Sequence, residues 1–154
     1  MTLSMKDVLK IFLLFFLLKI EIFSQDSSLF KKTFPLESKL LHKTPNPFFQ
    51  GRPYFLELFS DIPLDSLESI NFYFKTDKSK NYREEKLEFF RGSYRFKYDP
   101  KFYPGKKIYY FFIAKITNSG MYAFPINDQG MLNPIELDFV DPIKYYNERT
   151  PLLL

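Results

Sequence analysis

The residue types that carry most enzymatic chemistry are scarce in this chain, and their spacing brings few of them together. Its 154 residues include one histidine, His42, and no cysteine. Without a thiol there is no cysteine nucleophile, no disulfide, no lipid-bearing cysteine and no cysteine-based zinc site. One imidazole beside Pro45, in an edge region, gives neither a histidine-rich metal site nor a relay, so a structural histidine is expected. Ser93 lies in Gly92-Ser93-Tyr94, inside an alternating run and not in the sharp elbow that exposes a serine nucleophile. Glu84, Glu85 and Glu88 supply paired carboxylates of the type glycosidases use, but they fall in one turn and one weak strand beside Lys86, where solvent is the expected surrounding. Asn127-Asp128-Gln129-Gly130 is as oxygen-rich as a calcium loop, yet lacks the alternating ligands and closing glutamate. It reads as a turn. The five glycines are scattered as turn residues and build no phosphate cradle. The expectation is a protein with no catalytic residue, no metal and no cofactor: not an enzyme.

The residues left to carry function are aromatic. The chain holds 20 Phe, 11 Tyr and no Trp, and is 45% hydrophobic and 26% charged, enough apolar material for one globular domain and too little chain for a second large one. In the run Lys107 to Ile116, Lys107 and Lys115 share a phase with Tyr109, Phe111 and Ile113, and the opposite phase holds Ile108, Tyr110, Phe112, Ala114 and Ile116. In a strand the lysines mark the outward face. A neighbouring run places Tyr73 in the outward phase with Asn71 and Lys75, so Tyr73, Tyr109, Phe111 and Ile113 are expected to form one outer aromatic patch. Such a patch is either a protein-binding face or a satellite core covered by the N-terminal linker or the C-terminal helix. The formal charge of +4 is modest, and Lys75, Lys78, Lys80 and Arg83 are interleaved with Asp77, Glu84 and Glu85, so no basic stripe for nucleic acid is expected.

The elements that must position these residues are strands. Period-two alternation is clear in Ser69 to Lys75 (Ile70, Phe72, Phe74 inward) and clearest in Ser93 to Tyr98 (Tyr94, Phe96, Tyr98). Weaker or more apolar runs fall at Lys39 to Lys43, Pro53 to Phe59, Glu85 to Phe90, Lys106 to Ile116, Tyr122 to Ile126 and Ile135 to Val140, separated by turn clusters such as Ser60-Asp61-Ile62-Pro63 and Arg91-Gly92. Asp141-Pro142 has the form of an N-cap followed by first-turn proline, which predicts a short helix over Ile143 to Arg149.

The N-terminus has the three parts of a secretory signal. A polar segment with Lys6 and Lys10 precedes the apolar run Ile11 to Leu18, and Ser24 supplies the small residue before a cut. The run is too short to span a bilayer. The expected organisation is a signal peptide over 1–24, a linker over 25–37, a β-domain over 38–140, and a short helix with its tail over 141–154. Export to the periplasm or the extracellular space follows, with an uncleaved N-terminal anchor as the variant.

The succession of signals resembles the immunoglobulin-like, fibronectin-type-III-like domains of bacterial exported proteins. The resemblance runs from His42 to Pro125 and rests on His42 and Pro45, Gly51-Arg52-Pro53, Tyr73-Phe74-Lys75, Gly92-Ser93-Tyr94-Arg95-Phe96, Tyr110-Phe111-Phe112-Ile113-Ala114, Gly120 and Pro125. It implies an all-β fold, an antiparallel sandwich of about seven strands, with Tyr109 or Tyr110 as a candidate tyrosine corner. The cysteine pair and core tryptophan of antibody domains are absent. The function expected is a noncatalytic exported interaction or accessory module binding a protein of the cell envelope. The alternative is a carbohydrate-binding module that stacks sugars on Tyr and Phe, against which the lack of Trp counts.

Overall fold

A computed structural model describes residues 28–118 and 120–149. The chain divides into two compact units, Met1–Lys32 and Thr33–Leu154. Of the first, only Ser28–Lys32 is described, a single turn in which the Lys31 and Lys32 N–H groups donate to the Ser28 and Leu29 carbonyls. The expected signal segment, its cut after Ser24 and the terminal Leu152 to Leu154 lie outside the described residues. Among the described residues, no helix is long and apolar enough to cross a membrane.

The described part of the second unit is built from β1 (Leu40–His42), β2 (Phe48–Phe49), β3 (Tyr54–Ser60), β4 (Leu67–Thr76), β5 (Arg83–Phe90), β6 (Ser93–Tyr98), β7 (Lys107–Ile116), β8 (Met121–Phe124), β9 (Ile135–Val140) and the helix α1 (Pro142–Asn147). All nine strands join one sheet in the order β1-β3-β6-β5-β4-β7-β9-β2, with β8 also hydrogen-bonded to β7. Nine strands thus stand where about seven were expected. The eight runs legible in the sequence each form a strand, and β2 is the addition. It pairs parallel to β9, Phe48 opposite Phe139, whereas the remaining pairings are antiparallel. Two residues between prolines carry no alternation; Phe48 is fixed instead by stacking on Tyr54 at 4.3 Å and on Phe139 at 5.1 Å.

Pleating dictates what faces inward. Ile108, Tyr110, Phe112 and Ala114 of β7 are fully buried, and the register sets Phe112 opposite Phe72 and Tyr110 opposite Phe74 of β4. On β3 and β6 the same phase supplies Leu56, Leu58, Tyr94 and Tyr98. Burying each of these large side chains contributes about 1.5–3 kcal/mol. The sheet curls because both of its halves must bury the same face. Phe96 of β6 packs on Phe72 and Phe74 of β4, at 4.7 and 4.9 Å, although β5 lies between the two strands. β5 makes the corner: its first residues pair with β4, from Arg83 opposite Phe74 to Leu87 opposite Ile70, and its last three pair with β6.

The helix forms as its cap predicts. Asp141 accepts from the Ile143 N–H at 2.8 Å and Pro142 occupies the first turn. The segment read as a linker is anchored at Phe34. Phe34 is buried, and its N–H donates to the Gly130 carbonyl at 2.8 Å. The Asn127–Gly130 segment is a turn closed by its own side chain, with Asn127 Oδ1 accepting from the Gln129 and Met131 N–H groups.

Candidate functional site

The four residues expected to form an outer patch do come together. Tyr73 on β4 lies directly opposite Phe111 on β7, and their rings stack at 4.9 Å with planes 6° apart. Ile113 faces Asn71 and Tyr109 faces Lys75 in the same register. Tyr82, from the β4–β5 turn, meets Phe111 edge-on at 5.0 Å, and the Lys75 ammonium lies over the Tyr82 ring at 4.8 Å and the Tyr109 ring at 5.6 Å. Only Tyr109 of the four is half-buried. Phe111 and Ile113 are 0% exposed and Tyr73 is buried. The outward phase of β4 and β7 is therefore a second apolar layer on the back of the sheet.

Polar groups frame this layer. Glu84 is exposed, as expected, and accepts hydrogen bonds from the Asn71 side-chain amide and, at 2.7 Å, from the Tyr73 hydroxyl. At the far end the Lys107 ammonium sits 2.6 Å from Glu136 and 3.3 Å from Asp138, and the hydrogen bond to Glu136, then that to Asp138, raises the Lys107 pKa above its ordinary value. Glu84, Glu136 and Asp138 are thus each held by a side chain on an adjacent strand.

His42 is buried, with both ring nitrogens engaged. Its Nδ1 lies 2.6 Å from the Glu57 carbonyl oxygen and its Nε2 lies 2.9 Å from the Tyr110 hydroxyl. A carbonyl only accepts, so Nδ1 carries the proton and Nε2 accepts from Tyr110. The ring packs against Phe112 at 5.1 Å and Phe124 at 6.3 Å. Burial pulls the imidazole pKa below its ordinary value, against the opposite pull of the Glu57 carbonyl. Tyr110 therefore does not act as a tyrosine corner pinning a loop backbone. It ties β7 to the edge strand β1 through a side chain.

Exposed apolar surface lies on the other half of the sheet. Leu41 on β1 is 66% exposed and lies directly opposite Phe59 on β3, itself substantially exposed. Phe90 of β5 is opposite Ser93 of β6 and half exposed, and Phe55 of β3, opposite Lys97, is exposed as well. Among these apolar groups runs a polar band. Arg95 Nε lies 2.6 Å from Glu57, and its guanidinium sits 5.4 Å from the centre of the Phe90 ring. The signal for this face was available in β3, where Leu56 and Leu58 alternate with Phe55, Glu57 and Phe59. Two phenylalanines in a phase marked outward by one glutamate are less conspicuous than the aromatic run of β7.

No protein-family model matches the chain, and no curated protein shows significant similarity to it.

Proposed function

We propose that the chain is a noncatalytic, exported interaction module with an immunoglobulin-like, fibronectin-type-III-like sandwich, and that it binds a protein of the cell envelope. The order β1-β3-β6-β5, with β4, β7 and β8 following, supports the fold reading. It parallels the A-B-E-D and C-F-G sheets of the constant-type immunoglobulin arrangement. Here β5 remains paired to β4, so the two halves stay one sheet. The noncatalytic reading is supported by how the candidate groups are engaged: His42 between a carbonyl and a tyrosine, Glu84 under Asn71 and Tyr73, Glu57 on Arg95.

The observation that carries the binding reading is the exposed apolar face of Leu41, Phe55, Phe59 and Phe90. A cluster of exposed apolar side chains of this kind marks an interaction site. The test compares the chain with a Phe59→Glu/Phe90→Glu variant in pull-downs from the native envelope. The variant is expected to melt within about 2 °C of the parent, because both side chains are exposed, and to lose a specific envelope protein. Capture of the same proteins by both would refute the reading.

A further inference from the structure

We propose that a cleft at one end of the sheet, between the β4–β5 turn and the Asp99–Lys106 loop, binds a small organic anion built on a six-membered ring. The site is separate from the Leu41–Phe59 face and does not depend on it. The loop is held against the turn by its backbone. Thr76 Oγ1 donates to the Pro104 carbonyl at 2.9 Å, and Asp77 Oδ1 accepts from the Lys106 N–H at 2.8 Å. Gly105 makes this approach possible, since a Cβ there would lie 2.6 Å from Asp77 Oδ1 and 2.7 Å from the Thr76 Cβ. The resulting cleft has a volume of about 200 Å³.

The sign of the ligand follows from the lining. Among the described residues, Lys78, Ser79 and Arg83 line the cleft and no carboxylate does. Asp77, the acidic group of the turn, is directed to the Lys106 and Lys107 N–H groups. Glu84 is committed to Asn71 and Tyr73 on the other face, and Glu85 is not among the lining residues. Lys75 contributes its stem, its ammonium being taken by Tyr82 and Tyr109. Among the described residues, neither Lys78 nor Arg83 is in an ion pair. Lys78 and Arg83 are both exposed, and Asp77, the acid that feels the Lys78 charge, lies outside the lining with its carboxylate on the Lys106 and Lys107 N–H groups, so two cations at one concave site favour an anion.

The shape of the ligand follows from the aromatic wall. Tyr103 is fixed by the Tyr98 hydroxyl, which donates to its carbonyl at 2.5 Å, and by Phe74, edge-on at 4.8 Å. Its ring already carries the Arg83 guanidinium at 5.4 Å. Beside it Phe102 is 75% exposed, the most exposed large apolar side chain among the described residues. A flat apolar wall next to a planar guanidinium suits a ring bearing a carboxylate, the acid on Arg83 and the ring face on Phe102. The volume is below the roughly 300–1,000 Å³ of sites for drug-sized ligands, so it takes a single ring such as a sugar acid or an aromatic carboxylate.

The test is an ¹H–¹⁵N NMR titration of the full chain with glucuronate and benzoate, and with glucose and benzyl alcohol as their neutral counterparts. The acids are expected to shift the signals of Lys78, Ser79, Arg83, Phe102 and Tyr103 at millimolar concentration. The neutral compounds should bind at least about tenfold more weakly, and raising the salt concentration should weaken the acids. The double variant Lys78→Glu/Arg83→Glu should keep the parent spectrum elsewhere and lose acid binding at least about tenfold. Tighter binding of glucuronate identifies a sugar acid as the ligand class; tighter binding of benzoate identifies an aromatic acid. Equal binding of acids and neutral compounds, unchanged binding by the double variant, or no shifts at the cleft would each overturn the proposal.

Discussion

Acidification should destabilise this protein through one residue. His42 is buried in a neutral tautomer with both nitrogens satisfied, Nδ1 donating to the Glu57 carbonyl and Nε2 accepting from Tyr110. A second proton must go on Nε2, where the Tyr110 hydroxyl would have to turn round to accept, on a ring enclosed by Phe112 and Phe124. The folded pKa is accordingly lowered while the unfolded one stays near 6.5. Between those two values the unfolded chain binds more protons than the folded one. Stability is therefore fully present above about pH 6.5 and declines as the pH falls below it, until the folded pKa is reached. One proton gives a slope of at most about 1.4 kcal/mol per pH unit, hence a loss of up to about 1.4 kcal/mol between pH 7.5 and 5.5. The chain has a single histidine, and ordinary carboxylates titrate lower, so the window from pH 5.5 to 7 belongs to it. Urea unfolding across this range measures the slope, and the His42→Gln variant should flatten it. A folded-state NMR titration of the His42 ring should give a midpoint below 6.5. An unchanged slope in the variant, or a midpoint at or above 6.5, would refute the reasoning.

Other consequences follow from burial and close approach. Phe112→Ala, in the centre of the inner layer, should cost about 3–5 kcal/mol in urea unfolding, while Phe55→Ala on the exposed face should change stability by less than about 0.5 kcal/mol. Phe111→Asp should lower stability by more than about 3 kcal/mol, because it places a carboxylate within the back layer where the ring is 0% exposed; a folded variant of parental melting temperature would show that face to be open. Gly130→Ala should cost about 1–3 kcal/mol, since Gly130 has φ +74° and a Cβ would lie 2.5 Å from the Phe34 carbonyl oxygen; a loss of amide protection at Phe34 is the matching exchange measurement. If the proposed export holds, mass spectrometry of the protein isolated from its native cells should find Gln25 at the N-terminus, and an intact Met1–Ser24 segment would instead identify an anchor.

The inner face of this protein was legible in its sequence. Pleating is a local property, so Ile70, Phe72 and Phe74, then Tyr94, Phe96 and Tyr98, then Ile108, Tyr110, Phe112 and Ala114 declare one shared face by spacing alone. The same parity correctly grouped Tyr73, Tyr109, Phe111 and Ile113 on the opposite face, and Asp141-Pro142 marked the start of α1 within a residue. Parity tells which side a residue is on, however, and not whether that side meets solvent. That Phe111 is buried while Phe59 is exposed is a matter of long-range packing, which strand parity does not encode.

Tertiary structure alone decided four further things: that β2 adds parallel to β9, that β5 turns the corner between the halves, that His42 bridges β1 to β7, and that Phe102 stands beside two unpaired cations. The first and third join residues far apart in the chain, and in all four the residue types, taken singly, suit an ordinary loop or strand end. Local sequence sets the period of a strand; which strands meet, and what is left uncovered, is fixed only when the whole sheet closes on its core.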